Sequence, residues 1–161
     1  MKHFTSSAAA LLAVALLAVP ASAQNAPPHT AMKATAGADL QWSPAEIEGF
    51  DPGMMITVIS GDPSVADEPY VLRLKFPDGY RFPAHWHPVV ENLTVLSGTF
   101  LLKPEGEHAG PMVTYQPGDY LYIPARNAHS GGATGETVIQ LHGMGPFQIN
   151  LGLPTASDGD R

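Results

Sequence analysis

The 161-residue chain contains no cysteine, and this absence excludes several kinds of protein. Without thiols, the chain forms no disulfide and carries no lipid-modified cysteine of the bacterial lipoprotein kind. It also offers no thiolate ligand to Cu(I) or to an iron–sulfur centre. The folded domain must therefore be stabilised by its hydrophobic core, or by a metal bound through other side chains.

Positive charge is also scarce, since 8 Lys and Arg face 15 Asp and Glu, for a formal net charge of −7. The Lys and Arg residues are scattered along the sequence and form no basic stripe. Because nucleic acids and anionic membrane surfaces are bound through such stripes, neither is an expected partner.

The longest apolar run, Ala8 to Val19, is too short for a membrane span, which needs about 18 residues. It follows the basic residue Lys2 and precedes Ala21-Ser22-Ala23, a small-residue pattern typical of a signal-peptide cleavage site. The sequence therefore predicts a signal peptide over residues 1–23, cleaved near Ala23. We expect a periplasmic or secreted protein with no membrane anchor after cleavage.

Long segments with helical periodicity are absent, whereas turn-forming residues are frequent, with 16 Pro and 16 Gly. Residues 24–38 are rich in Ala, Pro and Thr and are predicted to form a flexible leader. The barrel domain is expected over residues 39–161, with its core in 54–151. Near its start, Ser43-Pro44-Ala45-Glu46 predicts a single helical turn.

Short apolar segments separated by turn residues fill the rest of the chain. The clearest is Tyr70–Phe76, where apolar residues alternate with Arg73 and Lys75 as in a half-buried strand. Further strands are predicted at Met54–Ile59, Asn92–Leu96, Thr99–Leu102, Met112–Tyr115, Tyr120–Ile123, Thr137–His142 and Phe147–Leu151. Turns are predicted at Pro77-Asp78-Gly79, Ser97-Gly98, Pro117-Gly118-Asp119 and Gly131-Gly132. Many short strands at this spacing predict an all-β sandwich or barrel.

Two of the seven histidines stand out by their spacing. His85 and His87 are separated by one residue, so they project from the same face of an extended segment. Two imidazoles on one face form half of a metal site. Pro88 would bend the strand and could direct the Glu91 carboxylate back toward the same point.

The residues around this pair resemble the first signature of the cupin superfamily. Every fixed position of that signature is matched, by Gly79, His85, His87, Glu91 and Gly98. The second signature is matched at Gly118, Pro124 and His129. It departs from the family at Arg126, where a Gly is usual, and at Ala133, where an Asn is usual. Asn127 tolerates positive φ well, and neither departure removes a ligand.

The resemblance implies an all-β cupin fold, a double-stranded β-helix or jelly-roll barrel. It maps His85, His87, Glu91 and His129 onto the metal ligands of the family. Three neutral imidazoles and one carboxylate would bind one divalent transition metal, with Fe, Mn, Ni, Co, Cu and Zn all compatible. Coordination positions would remain open for a small-molecule ligand or substrate.

The leading functional hypothesis is an exported metal-dependent oxidoreductase, dioxygenase-like, that acts on a small organic molecule. Glu91 is its candidate catalytic residue, as the general base evident among the ligands. The alternative is a non-catalytic module that binds or senses a small ligand through the metal. A third hypothesis, isomerase or epimerase chemistry, needs an additional acid–base pair, and no convincing pair stands out. Fold analogy does not choose among them, because one fold hosts many activities.

For several other residues the sequence does not decide between a position inside the barrel and one on its surface. Trp86 alternates with the two histidines, so it is expected to pack on the outer face, at a subunit contact. A homodimer is expected, because small barrels commonly cover open sheet edges by self-association. Gln140 and His142, like Tyr120 and Tyr122, either line the barrel interior or lie on its surface.

Overall fold

The computed structural model describes residues 32–159; the predicted signal peptide and most of the predicted leader lie outside this range. The described residues form nine strands: β1 (Ser43–Pro44), β2 (Met55–Ser60), β3 (Pro69–Phe76), β4 (Arg81–Trp86), β5 (Glu91–Pro104), β6 (Val113–Tyr115), β7 (Tyr120–Ile123), β8 (His129–Met144) and β9 (Asn150–Leu151). Short 3-10 turns occupy Gly37–Asp39, Gly106–His108 and Ala156–Gly159. No helix in the described range is long and apolar enough to span a bilayer.

The strands form one antiparallel sheet that curls around β8. The first part of β8, residues 129–132, pairs with β4, and the second part, residues 137–144, pairs with β3. On its other side β8 pairs with β5 along most of its length. Strands β1 and β2 continue the sheet beyond β3, β9 continues it beyond β4, and β6 and β7 pair with β5. The prediction of an all-β barrel is confirmed.

The hydrophobic core lies inside the curled sheet, and β3 illustrates how the sequence builds it. Its alternate residues Leu72, Leu74 and Phe76 are buried, as the pattern predicts. On the outer face, the Arg73 Nε donates a hydrogen bond to Gln140 Oε1 over 3.0 Å. Each buried aliphatic or aromatic side chain contributes about 1.5–3 kcal/mol relative to an exposed one, which drives the closure of the sheet.

Two of the predicted turns are wrong, because both segments lie within strands. At Ser97-Gly98 the chain forms a β-bulge in β5, where the register with β8 shifts. Gly131-Gly132 lies within β8, and a Cβ on Gly131 would collide with the backbone of Leu101 and the ring of Phe82. Glycine here permits the close approach of neighbouring chain segments rather than a reversal of direction.

The predicted helical turn at Ser43–Glu46 is also wrong. Ser43 and Pro44 pair with β2, and the Ala45 N–H donates to the Met54 carbonyl over 2.9 Å, which closes a hairpin-like loop. Strand β4 is expected from the sequence only as an extended segment at His85 and His87. Pro83 interrupts it, at a point where its register with β8 is irregular. The last predicted strand, Phe147–Leu151, is reduced to the two residues of β9.

The β-bulge gives a test of how the long strands are held. Gly98 has a φ of +73°, and a Cβ there would collide with the Glu136 carbonyl and with Thr137. Gly79 has a similar φ of +75° with no atom within 4 Å of an added Cβ. Gly79→Ala should lower the free energy of unfolding by about 1 kcal/mol, the cost of left-handed backbone alone. Gly98→Ala should lower it by about 3 kcal/mol, since overpacking adds to that cost. Urea unfolding measures both, and equal losses would contradict this account.

Candidate metal centre

Three of the four side chains predicted as metal ligands, the histidines, form one group inside the barrel, and Glu91 lies beside two of them. His85 belongs to β4, and His87 is the first residue after the end of β4. Glu91 is the first residue of β5, and His129 is the first residue of β8. All four are buried, with exposed fractions of 3–6%. The ligand atoms of the three histidines lie within 4.8 Å of one another. A buried group of three imidazoles that could hold a metal ion is therefore present.

Strand alternation and strand register bring these residues together. His85 and His87 lie on one face as their spacing predicts, with ring centroids 5.0 Å apart. In the ladder between β4 and β8, His85 pairs with His129, so that the two rings are 4.4 Å apart. Directly opposed residues of antiparallel strands have Cβ atoms about 4.5–5.5 Å apart, which places the third imidazole beside the first.

A backbone carbonyl holds each imidazole through its Nδ1 atom. The three bonds join His85 to Pro83 (2.9 Å), His87 to Gln148 (2.7 Å) and His129 to Asn127 (3.0 Å). A carbonyl oxygen can only accept, so each Nδ1 carries the proton and each Nε2 keeps its lone pair. This arrangement fixes the tautomer that binds a metal through Nε2 and orients the ring for it.

Burial keeps this cluster uncharged in the metal-free protein. It lowers the pKa of His85 to about 3, helped by the neighbouring His129 and His87, and lowers the pKa of His87 to about 4. Burial also lowers the pKa of His129 and raises the pKa of Glu91 to about 8. The Glu91 Oε2 lies 3.5 Å from the His87 Nε2 and 3.6 Å from the His129 Nε2. Since these distances exceed hydrogen-bond length and both sides favour the neutral form, the contacts are not ion pairs.

Two polar atoms of this cluster lack a hydrogen-bond partner. Within residues 32–159, neither the His87 Nε2 nor the Glu91 Oε2 finds a hydrogen-bond partner, although both are fully buried. A buried polar group without a partner costs about 1–3 kcal/mol. Two ligands at about 2.1 Å from a tetrahedral ion are about 3.4 Å apart, close to the separations observed here. The nitrogen and oxygen donors and their spacing therefore fit a divalent transition ion.

The cluster forms part of the wall of a cavity of about 30 Å³. The remaining lining is apolar: Phe50, Met54, Leu74, Phe76, Phe82, Leu93, Phe100, Leu102, Ile139, Phe147 and Ile149. Two rings touch the histidines directly, with Phe50 edge-on to His85 at 5.2 Å and Phe147 stacked on His87 at 4.7 Å. In the described part of the chain, the cavity lining offers no ionisable group beyond the three histidines and Glu91.

The residues whose position inside or outside the barrel is not decided by the sequence lie away from the cavity. Gln140, His142, Tyr120 and Tyr122 do not line the cavity, and the two tyrosines are 55% and 60% exposed on the outer face of the sheet. Trp86 also lies away from the cavity. It is only 6% exposed, however, and the Arg126 guanidinium lies 5.5 Å from its ring centroid, so its own chain already covers it. Trp86 is therefore not an exposed contact residue.

The turn before His129 contains Arg126 at the position where the family signature usually has a glycine. Arg126 itself adopts the left-handed conformation, with a φ of +64°, whereas its neighbour Asn127 does not. The Arg126 N–H donates to the His87 carbonyl over 2.8 Å, and its guanidinium donates to the Thr155 carbonyl over 2.7 Å. These contacts offset the cost of the backbone conformation, about 1–2 kcal/mol.

Sequence reasoning missed the aromatic residues around the cluster. Both Phe50 and Phe147 lie outside the observed strands. Phe50 belongs to no predicted strand, and Phe147 is predicted only as the start of the strand Phe147–Leu151. Tyr70 is read from the sequence only as part of a strand, yet its buried hydroxyl has no hydrogen-bond partner among the described residues. Burial and the nearby Glu91 raise the pKa of Tyr70 to about 12, so this phenol stays protonated.

The shifted pKa values predict how the stability of the metal-free protein depends on pH. The lowered histidine pKa values mean that the unfolded chain binds more protons below its ordinary value of 6.5, so stability rises up to about that pH. The raised pKa of Glu91 acts in the opposite direction, because the folded chain keeps a proton that the unfolded chain loses above 4.5. Its contribution is lost as the pH rises toward 8.

Below pH 6.5 the three histidines outweigh the single carboxyl, so the maximum of stability should lie near pH 6.5. Urea unfolding of the metal-free protein across this range measures the profile. Glu91→Gln should abolish the decline above the maximum, whereas Glu107→Gln, at an exposed position, should leave it unchanged. A decline that persists in the Glu91 variant would contradict the assignment.

Comparison with known proteins gives a family for this architecture. The sequence model of the cupin domain matches residues 72–142, a range that contains all four clustered side chains. No curated protein matches the chain significantly by sequence.

Several solved structures share the fold. The polyketide cyclase RemF from Streptomyces resistomycificus superposes with a TM-score of 0.64 at 17% identity, over 78% of this chain and 89% of that protein. An acetylacetone dioxygenase from Acinetobacter johnsonii gives a TM-score of 0.58 at 19% identity, over 78% and 81%. A cupin-like protein from Thermotoga maritima gives 0.51 at 24% identity, over 65% and 80%. Residues 72–142 thus match a cupin domain, and the described chain has the double-stranded β-helix fold of cupin proteins.

Proposed function

We propose that this chain is a metal-dependent oxidoreductase of dioxygenase type that acts on a small organic molecule. His85, His87, Glu91 and His129 would bind one divalent transition ion. One observation carries the proposal: three imidazoles with fixed tautomers lie beside a buried carboxylate, in the wall of an otherwise apolar cavity.

A redox-active ion held there would supply Lewis acidity toward substrate oxygen atoms and electrons for chemistry with dioxygen. The chain itself supplies orientation, through the carbonyl-bound imidazoles, and exclusion of water, through the apolar lining. The Glu91 carboxylate would be ionised beside a cation, because an opposite charge lowers its pKa. Glu91 would act as a general base toward the substrate by shifting off the metal.

The same cavity argues against isomerase or epimerase chemistry. Such reactions need an acid and a base on either side of the substrate, and the described lining offers no second acid–base group apart from the clustered ligands. The structural neighbours leave this choice open, since one is described as a polyketide cyclase and another as an acetylacetone dioxygenase. A shared fold does not imply a shared activity, so the choice rests on the site.

A non-catalytic binding module is the second candidate, because the described lining offers no ionisable group apart from the four candidate ligands. In this role the metal would hold a small ligand without turnover.

Export and assembly as a homodimer are proposals that rest on the sequence. The signal-peptide pattern of residues 1–23 supports the first, and the need to cover open sheet edges supports the second. N-terminal sequencing of the mature protein and its mass in solution would test them.

Metal binding by the four residues has a direct test in thermal stability. At a free ion concentration of about 100 times Kd, the wild-type protein should gain about 2.7 kcal/mol of stability. His87→Ala and Glu91→Ala should each lose bound metal and most of this gain. His142→Ala, a matched change at an exposed histidine, should retain both. Calorimetry with metal analysis measures these effects, and unchanged metal content in both site variants would refute the assignment.

The activity is tested on protein purified from its native compartment. Metal analysis should give near one equivalent of a redox-active ion, and phenolic, diketone or dicarboxylate substrates should cause oxygen consumption. A site filled with zinc, together with no oxygen uptake for any of these substrates, would overturn the dioxygenase proposal. A ligand that raises the melting temperature without turnover would instead support the binding module.

A further inference from the structure

The size of the cavity limits what can reach the candidate centre. Pockets that take small organic ligands measure about 300–1,000 Å³, whereas this cavity measures about 30 Å³. A ligand with more than a few non-hydrogen atoms therefore enters only if part of the lining moves.

Most of the lining is fixed by the sheet. The lining residues of β3, β5 and β8 belong to strands that are hydrogen-bonded on both sides, and β4 lies between β8 and β9. Displacing any of them would break ladder hydrogen bonds. The parts of the lining outside the strands are Phe50 and Met54, His87, and the pair Phe147 and Ile149.

The segment of Phe147 and Ile149 is tied to the cluster itself. The Phe147 N–H donates to the Pro63 carbonyl over 2.7 Å. The next residue, Gln148, accepts the hydrogen bond from the His87 Nδ1 over 2.7 Å. Moving this segment would release a candidate ligand, so it is a poor route of entry.

The remaining element is the cap loop, residues 45–54, which carries Phe50. The loop is closed at its base by the bond from Ala45 to Met54. Its tip is held to the barrel by the Tyr80 hydroxyl, which donates to the Asp51 carbonyl over 2.6 Å. Among the described residues, no other hydrogen bond joins residues 46–53 to the rest of the chain.

The Phe50 ring covers the histidine cluster from this loop. It lies edge-on to His85 at 5.2 Å and parallel to the ring of Phe82 at 6.4 Å. Unlike the strand residues of the lining, Phe50 is only partly buried, so its other side faces solvent. Moving this ring opens the cavity without breaking a strand ladder or an Nδ1 hydrogen bond.

We infer that Phe50 is the gate of the candidate centre and determines the size of the ligand that is admitted. The Tyr80–Asp51 hydrogen bond is the latch that holds the gate closed. When this bond breaks, the cap loop moves outward and the Phe50 ring leaves His85. The identity of the ligand admitted past Phe50 rests on the proposed function. The movement of the Phe50 ring does not depend on that function.

The test uses the full metal-free chain and diethyl pyrocarbonate, which modifies accessible neutral imidazoles. Mass spectrometry reports the rate at His85, with the exposed His108 as an internal reference. Tyr80→Phe removes the latch but keeps the ring. It should raise the His85 rate about fivefold, which corresponds to about 1 kcal/mol at about 1.4 kcal/mol per tenfold. Phe50→Ala should raise the rate further.

Two control variants separate gating from other effects. Tyr120→Phe also removes a 2.6 Å hydroxyl hydrogen bond, to Asn92, but on the outer face of the sheet. Val95→Ala weakens the core at a buried residue outside the cavity lining, so it reports general destabilisation. Both should leave the His85 rate unchanged. Equal increases in the controls, or no increase with Tyr80→Phe and Phe50→Ala, would overturn the gate.

A second arm measures ligand size on the protein loaded with Co(II), by visible absorption. Azide, with three atoms, should bind the wild-type and Phe50→Ala proteins at similar rates. Catechol should bind the variant faster, and equal catechol rates would contradict a role in size selection. If Co(II) does not bind, the proposed metal site fails while the His85 modification rates still decide the gate.

Discussion

Three hydrogen bonds from histidine Nδ1 atoms to backbone carbonyls orient the imidazoles on which the candidate metal centre depends. The acceptors Pro83, Asn127 and Gln148 lie where the chain is irregular: within the shifted register of β4, in the turn before β8 and in the approach to β9. Each bond fixes a tautomer and directs an Nε2 lone pair into the cavity. The irregular segments therefore orient the donors, while the regular strands bring them close together and exclude water.

Much of the fold follows from local patterns, and the two wrongly predicted turns share one cause. Strand β7 coincides with the predicted Tyr120–Ile123, because alternation and flanking turn residues agree there. Each of these turns is predicted from glycine, which occurs both in turns and where two strands approach closely. Gly98 and Gly131 both lie at a close approach between strands. The neighbouring strand is distant in sequence, so only the structure shows this approach.

Local patterns likewise predict only part of the candidate site. The pairing of His85 with His87 follows from the two-residue period of a strand, but the position of His129 depends on the register between β4 and β8. Spacing within the family signatures supplied what local reasoning could not. Neither approach placed Phe50 or Phe147 beside the histidines: Phe50 belongs to no predicted strand or signature, and Phe147 is predicted only as the start of a strand.

The double role of β8 has a consequence for the order of folding. This strand pairs with β3, β4 and β5, so it joins segments that are far apart along the chain. Contacts of such long sequence separation form slowly, because the entropy of closing large loops must be overcome first. Since His129 arrives with β8, the complete ligand cluster exists only after the barrel has closed. Metal capture by all four candidate ligands would thus come late in folding, after the barrel has closed.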